Sequence, residues 1–201
     1  MQSQNIVLVG APLDCGKASK GCLMGPDAYR TAGIASALTA LGHRVTDLGN
    51  VAPDANDIAE RDGLVNLSET IGWTTALMRT AQDAMQQGLP IFLGGDHALS
   101  LGTVPGVAAH AEAEDRPQFV LWLDAHSDFN TLETTASGNL HGTPLAYATG
   151  QGGFDGFPAL PATVPPSQTC IIGLRSGVLP ERDLMAGTGV LGYDMRAIDE
   201  S

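Results

Sequence analysis

The amino-acid sequence predicts an α/β fold, a three-layer αβα arrangement around a mostly parallel, doubly wound sheet. Short β-rich runs alternate with helix-patterned stretches along the 201 residues. Two of those runs, PIFLGG and QFVLWLD, are almost continuously apolar, as strands covered on both faces are. Glycine or proline punctuates most of the junctions between them. A chain of this length is long enough to bury a real core, and one domain over residues 1–201 is expected.

Each element has its own cue. NIVLVG is a short strand ending at Gly10. The loop APLDCGKASKGCLMGP is rich in glycine and proline, and is expected to be irregular and either functional or well tied down. Pro26 and Asp27 open a helix through DAYRTAGIASALTALG, with Ile34, Leu38 and Leu41 at helical spacing and Gly42 as the stop. HRVTDLG reads as a second strand. A long helix from about Val65 to Gln87 sets Leu67, Ile71, Leu77, Met78 and Met85 on or near one face. Between the two apolar strands SLGTVPGVAAHAEAE is helical, with Pro105 expected to kink or delay it. A loop runs from Asp128 to about Pro166. QTCIIGLR is then a strand, PERDLMAG a short helix and VLGYDMR a last strand.

Bulk properties exclude some functions. A net charge of −12 argues against sequence-independent nucleic-acid binding, which needs Lys and Arg against phosphates, and against an anionic membrane surface. It suits metal ions or a basic small molecule. The start of the chain has no basic region ahead of an apolar one, and no apolar run approaches membrane-spanning length. Cys15, Cys22 and Cys170 show no CxxC spacing, so free thiols in a reducing cytoplasm are expected.

The chemistry concentrates in LWLDAHSDFN. On an extended strand Asp124, His126 and Asp128 would point the same way, because alternate side chains share a face. Two carboxylates and an imidazole converging at the end of a buried strand call for a cation between them. Mixed oxygen and nitrogen ligands suit Mn²⁺, Zn²⁺, Ni²⁺ or Fe²⁺ better than Ca²⁺. The other apolar strand ends in GGDH, where Asp96 is expected to cap the next helix and His97 to join the metal site. In SGNLHGTPLAYATG, His141 is placed to shuttle protons near its reference pKa. Asn130 and Ser137 offer neutral hydrogen bonds for a substrate carboxylate. Neither GxGxxG nor a GK[ST] ending occurs where a nucleotide site would need it.

GGDHALSLGTV, LWLDAHSDFNT and SGNLHGTPLAYATG together resemble successive signatures of the arginase branch of the ureohydrolases, the binuclear manganese hydrolases. KGCLMGPDAYRTAG and GHRVTDLGN resemble the same family. The resemblance implies two Mn²⁺ ions: His97, Asp124 and Asp128 match ligands of the first, His126 a ligand of the second, and Asp124 the bridge. It implies His141 as proton shuttle, Asn130 and Ser137 as holders of a substrate α-carboxylate, and Glu181 as a further acidic substrate contact. It also implies hydrolysis of L-arginine to L-ornithine and urea by a metal-bridging hydroxide, within a homo-oligomer.

Two departures from that pattern are visible. Val178 stands where the family carries an Asp facing the substrate ammonium, which keeps open another guanidino or formimino substrate. The family's later D-x-D strand and glutamate have no counterpart before YDMRAIDES ends, so a fragment lacking its last strands, with an open sheet edge, is expected. Little activity is expected of such a chain, and a non-catalytic remnant binding metal weakly, or binding a full-length relative, is the reading from another class.

Overall fold

Strand and helix alternate as the sequence predicts. The computed structural model describes residues 2–176 and 179–200, so Val178 lies outside the described residues. Strand β1 (Asn5–Ala11) is flanked in parallel by β2 (Arg44–Asn50) and β3 (Leu89–Gly94). Both faces of β1 are buried. Val7 and Val9 pack on Ala84 of α3 (Leu67–Gln87). Ile6 and Leu8 alternate to the opposite face, and α1 (Gly25–Thr31) and α2 (Ile34–Ala40) pack against this sheet.

A second parallel sheet contains β4 (Val120–Leu123), β5 (Thr169–Leu174) and β6 (Leu191–Asp194), in that order. Trp122 and Ile171 face inward onto Leu145 and Ala146 of α5 (Pro144–Ala148). The opposite face of the same strands leaves Leu121, Leu123, Leu191 and Tyr193 exposed.

The structure departs from the sequence reading at five places. The parallel strands form two hydrogen-bonded sets rather than one, because among the described residues β3 pairs only with β1 and β4 only with β5. A cleft of about 490 Å³ between Pro90 and Phe92 on one side and Val120 and Trp122 on the other separates them. Unpaired strand edges therefore lie within the molecule as well as at its margin. The first predicted helix is two helices, broken at Gly33, whose φ of 86° is left-handed and ends the helical path. Pro105 lies inside α4 (Ser100–Ala113) without delaying it. Tertiary packing decides this: α4 lies so close to α3 that a Cβ on Gly102 would stand 2.5 Å from Thr74 O, and one on Gly106 2.4 Å from Met78 O. Helix α5 interrupts the loop after Asp128, started by Pro144 at a position where proline costs no hydrogen bond. After α6 (Leu179–Met185) and β6, a short α7 (Met195–Asp199) follows, capped by the Asp194 carboxylate on Ala197 N.

Close approach of α3 and α4 yields a stability prediction. Gly106→Val places two methyl groups against the α3 backbone and is expected to destabilise the fold by about 2–3 kcal/mol through overpacking. A urea unfolding curve with a lowered midpoint at constant slope checks it; an unchanged midpoint would show that the helices can separate at no cost.

Candidate metal centre

The site grows from the ends of β3 and β4. Past β3 the chain is tied to the β1 end, with Gly95 N donating to Ala11 O at 3.1 Å and Asp96 N to Leu13 O at 2.9 Å. Asp96 Oδ1 accepts from Ala98 N at 2.8 Å and caps the 3-10 turn His97–Leu99, as the sequence predicts. That turn lays the His97 ring on the indole of Trp122, centroids 4.6 Å apart and 27° between planes. Past β4, Asp124 N still donates to Ile172 O of β5, and the chain then bends away.

The acidic triplet does not lie on an extended strand. Strand β4 stops at Leu123, and Asp128 has φ 47°, in the left-handed region. Convergence comes from folding of the loop instead. Asp128 O accepts from Leu145 N at 3.0 Å and Ala146 N at 3.4 Å, at the start of α5. Phe129 is fully buried, its N–H donating to Glu181 Oε1 at 3.1 Å. Asn130 N donates to Gly142 O at 3.2 Å. These bonds carry the Asp128 side chain back towards His97.

His97 Nδ1 lies 2.8 Å from Asp128 Oδ2 and 3.2 Å from Asp124 Oδ2. One ligand atom from each of the three residues falls within 4.8 Å of the others. Asp128 Oδ2 is buried and has no well-aligned hydrogen bond, its close polar approach being to His97 Nδ1. A buried, unsatisfied carboxylate oxygen beside an imidazole nitrogen is a donor set that a divalent cation completes. Asp124 reaches two ways: Oδ2 turns to His97, while Oδ1 lies 3.4 Å from His126 Nδ1 and accepts from His126 N at 2.9 Å. His126 is 58% exposed and stands outside the tight group of three.

One cavity of about 540 Å³ is lined by His97, Asp124, His126, Asp128, Asn130, Ser137, His141 and Glu181, the residues the sequence offers as candidates for holding metal or substrate or for moving a proton. Burial pushes the His141 imidazole below its ordinary pKa, with Asp96 and Asp128 resisting, so His141 does not sit near its reference value. Burial also disfavours charge on His97, but the facing Asp128 and Asp124 carboxylates outweigh it and hold its pKa above the ordinary value. Glu181 is buried, and part of its capacity goes to the Phe129 backbone. Ser137 Oγ accepts from Asn139 N. Trp122, the platform under His97, escaped the sequence reading: two residues before Asp124, its only signal was an indole at a buried strand position. Cys15, Cys22 and Cys170 are free thiols, and burial pushes Cys15 up to about 12, leaving it unreactive.

Parallel strands whose carboxyl ends gather metal-type ligands define an α/β protein with a candidate metal site. Comparison with known proteins narrows the class. The sequence model of the arginase family matches residues 4–201. Arginase from Brucella melitensis is 52% identical over 196 residues, covering 96% of this chain and 64% of that protein. The native Bacillus caldovelox arginase structure superposes with a TM-score of 0.84 at 34% identity, covering 98% of this chain and 67% of that one. Entamoeba histolytica arginase in complex with L-ornithine has a TM-score of 0.83 at 26% identity, covering 100% of this chain and 68% of that one. This chain belongs to the arginase family, and spans about two thirds of the length of these relatives.

The two histidines give opposite pH dependences to the metal-free chain. With its folded pKa raised, protonated His97 contributes stability that is fully present below its unfolded value of about 6.5 and lost as pH rises through the folded value. With its folded pKa lowered, neutral His141 contributes stability present above about 6.5 and lost as pH falls through the folded value. His97→Gln should therefore remove the loss on the alkaline side and leave the acid-side loss. Urea midpoints between pH 5 and 8.5 check this, and a variant that keeps the alkaline loss would assign it to another group.

Proposed function

We propose that this chain carries the site of a Mn²⁺-dependent hydrolysis of the L-arginine guanidinium group, giving L-ornithine and urea. The observation that carries the reading is the convergence of His97, Asp124 and Asp128 around an unsatisfied buried carboxylate oxygen, in the lining of a cavity with ample room for an amino acid. Its occupants are proposed from chemistry. His97, Asp124 and Asp128 would hold one Mn²⁺, while His126 with the outer oxygen of Asp124 would contribute to a second. Bound Mn²⁺ would supply Lewis-acid activation of water at neutral pH.

The chain's own groups account for the rest. The net charge of −12 draws a cationic guanidinium towards the cavity. Asn130 and Ser137 line it and offer neutral donors to the α-carboxylate, and the buried Glu181 lines the same cavity. His141 is half-buried in the same loop as Ser137, and its lowered pKa keeps the imidazole neutral and able to accept a proton near pH 7. L-Ornithine, held by the Entamoeba histolytica relative, is the product this reading assigns. No helix among the described residues is long and apolar enough to cross a membrane. With three free thiols, the cytoplasm is the compartment proposed.

Manganese content after dialysis and urea release test the proposal on the same preparation. About two equivalents of Mn²⁺, with urea formed from L-arginine above roughly 1 s⁻¹, support it. Metal-loaded protein that releases urea only from agmatine overturns the amino-acid assignment. Protein that loses its metal on dialysis and forms no urea overturns the hydrolytic reading for this chain. Within an active preparation Asn130→Ala is expected to raise KM for L-arginine roughly tenfold with little change in kcat, because the carboxylate it would bind lies away from the reacting carbon.

A further inference from the structure

The irregular loop between β1 and α1 is absorbed by none of the roles above, yet one of its residues touches both histidine-bearing segments. Gly16 N donates to Asp96 Oδ2 at 2.9 Å, and Gly16 O accepts from His141 N at 2.9 Å. The other oxygen of the same carboxylate, Oδ1, holds Ala98 N and so fixes the turn that presents His97. The backbone of a single residue thus runs from the residue beside the candidate metal ligand to the candidate proton shuttle. It is closely packed: a Cβ on Gly16 would lie 2.5 Å from Ala98 Cβ, 2.8 Å from Asp96 Oδ1 and 3.0 Å from His141 Cβ. Two further bonds hold the loop in place, Asn66 Nδ2 to Cys15 O at 3.0 Å and Ala18 N to Asn139 Oδ1 at 3.0 Å.

We propose that Asp96 and Gly16 form a positioning link that sets the spacing between His97 and His141. Asp96 meets neither substrate nor metal in this role, and acts through the two backbone N–H groups it holds. The role requires a carboxylate. Its two oxygens serve two donors at once, whereas an asparagine has one oxygen and turns an NH₂ group towards the second donor. Asparagine is also a good N-cap, so Asp96→Asn keeps the bond to Ala98 and breaks the one to Gly16. A glycine at position 16 is required by space, since any side chain there would wedge the two segments apart.

The proposal deepens the catalytic reading and rests on it for the meaning of the spacing, but its test does not need turnover. Amide hydrogen exchange on the folded chain with Asp96→Asn should speed exchange at His141, 45 positions along the chain, roughly tenfold to a hundredfold. The β1 amides of Val7 to Val9 should be unchanged. Gly16→Ala should give the same pattern from the other end of the link. His141 exchange that stays at the native rate, or that accelerates only together with β1, would overturn the link. Where urea release is measurable, Asp96→Asn should lower kcat with KM retained. Local loosening at His141 in a chain that makes no urea would leave the link standing and remove the catalytic reading.

Discussion

Two carboxylates aimed at one imidazole are the constraint around which this molecule is organised. Ligand atoms of Asp124 and Asp128 lie within 4.8 Å of each other and of His97. At an effective dielectric of about 20, like charges at that spacing repel by roughly 3–4 kcal/mol, a large fraction of a typical domain's stability. Protonation of His97 offsets part of this in the metal-free chain, which is why its pKa rises against the pull of burial. A dication offsets more. The fold has to hold the carboxylates together whichever cation is present.

It does so with backbone rather than with the ligands' own side chains. Asp124 remains hydrogen-bonded to β5, and the Asp128 carbonyl is taken up by the first N–H groups of α5. The flanking Phe129 is locked by its buried ring and by Glu181. Because β3 and β4 do not pair, the two halves of the site are joined by helices. Leu101 and Tyr147 pack with the core beneath the first sheet, while Val104, Leu145 and Ala146 pack with Trp122 beneath the second. Helices α4 and α5 therefore span both sheets, and the proximity of His97 to Asp124 depends on them. That role also explains why α4 tolerates an internal proline: its glycines bring it against α3, and the buried contacts outweigh the missing hydrogen bond.

Much of this was legible in the sequence, for identifiable reasons. The strands showed themselves as apolar runs because both faces of β1 are covered, and α3 because a helix this long repeats its buried face several times. His97, Asp124 and Asp128 stood out because ligand-type residues rarely follow immediately on a buried strand. Their geometry was not legible. Alternation suggested a shared strand face, but convergence arises from a left-handed Asp128 and from bonds to residues that follow it by up to 53 positions. Non-local contacts of that kind leave no local pattern. The separation of the two sheets was hidden for the same reason, since pairing partners depend on the whole topology. Asp96 was legible as a cap, while its second bond, to Gly16 in a distant loop, was not.

Asp128 shows how these demands meet in one residue. A left-handed backbone costs most residues roughly 1 kcal/mol or more, and aspartate is among the few side chains that adopt it with modest strain. Glycine would relax the backbone but offers no ligand. Asparagine would fit the backbone and ease the repulsion, at the loss of the anionic charge a cation needs. Aspartate alone meets both requirements, and it leaves the site with strain, repulsion and an orphaned oxygen together. Each of these raises the free energy of the metal-free site, and a bound dication would relieve the last two directly. The site is therefore held ready by packing elsewhere, through Phe129, α5 and Glu181, so that binding does not have to assemble it. The same reasoning places the sensitive positions away from the ligands, in the buried residues that keep the Asp128 loop folded.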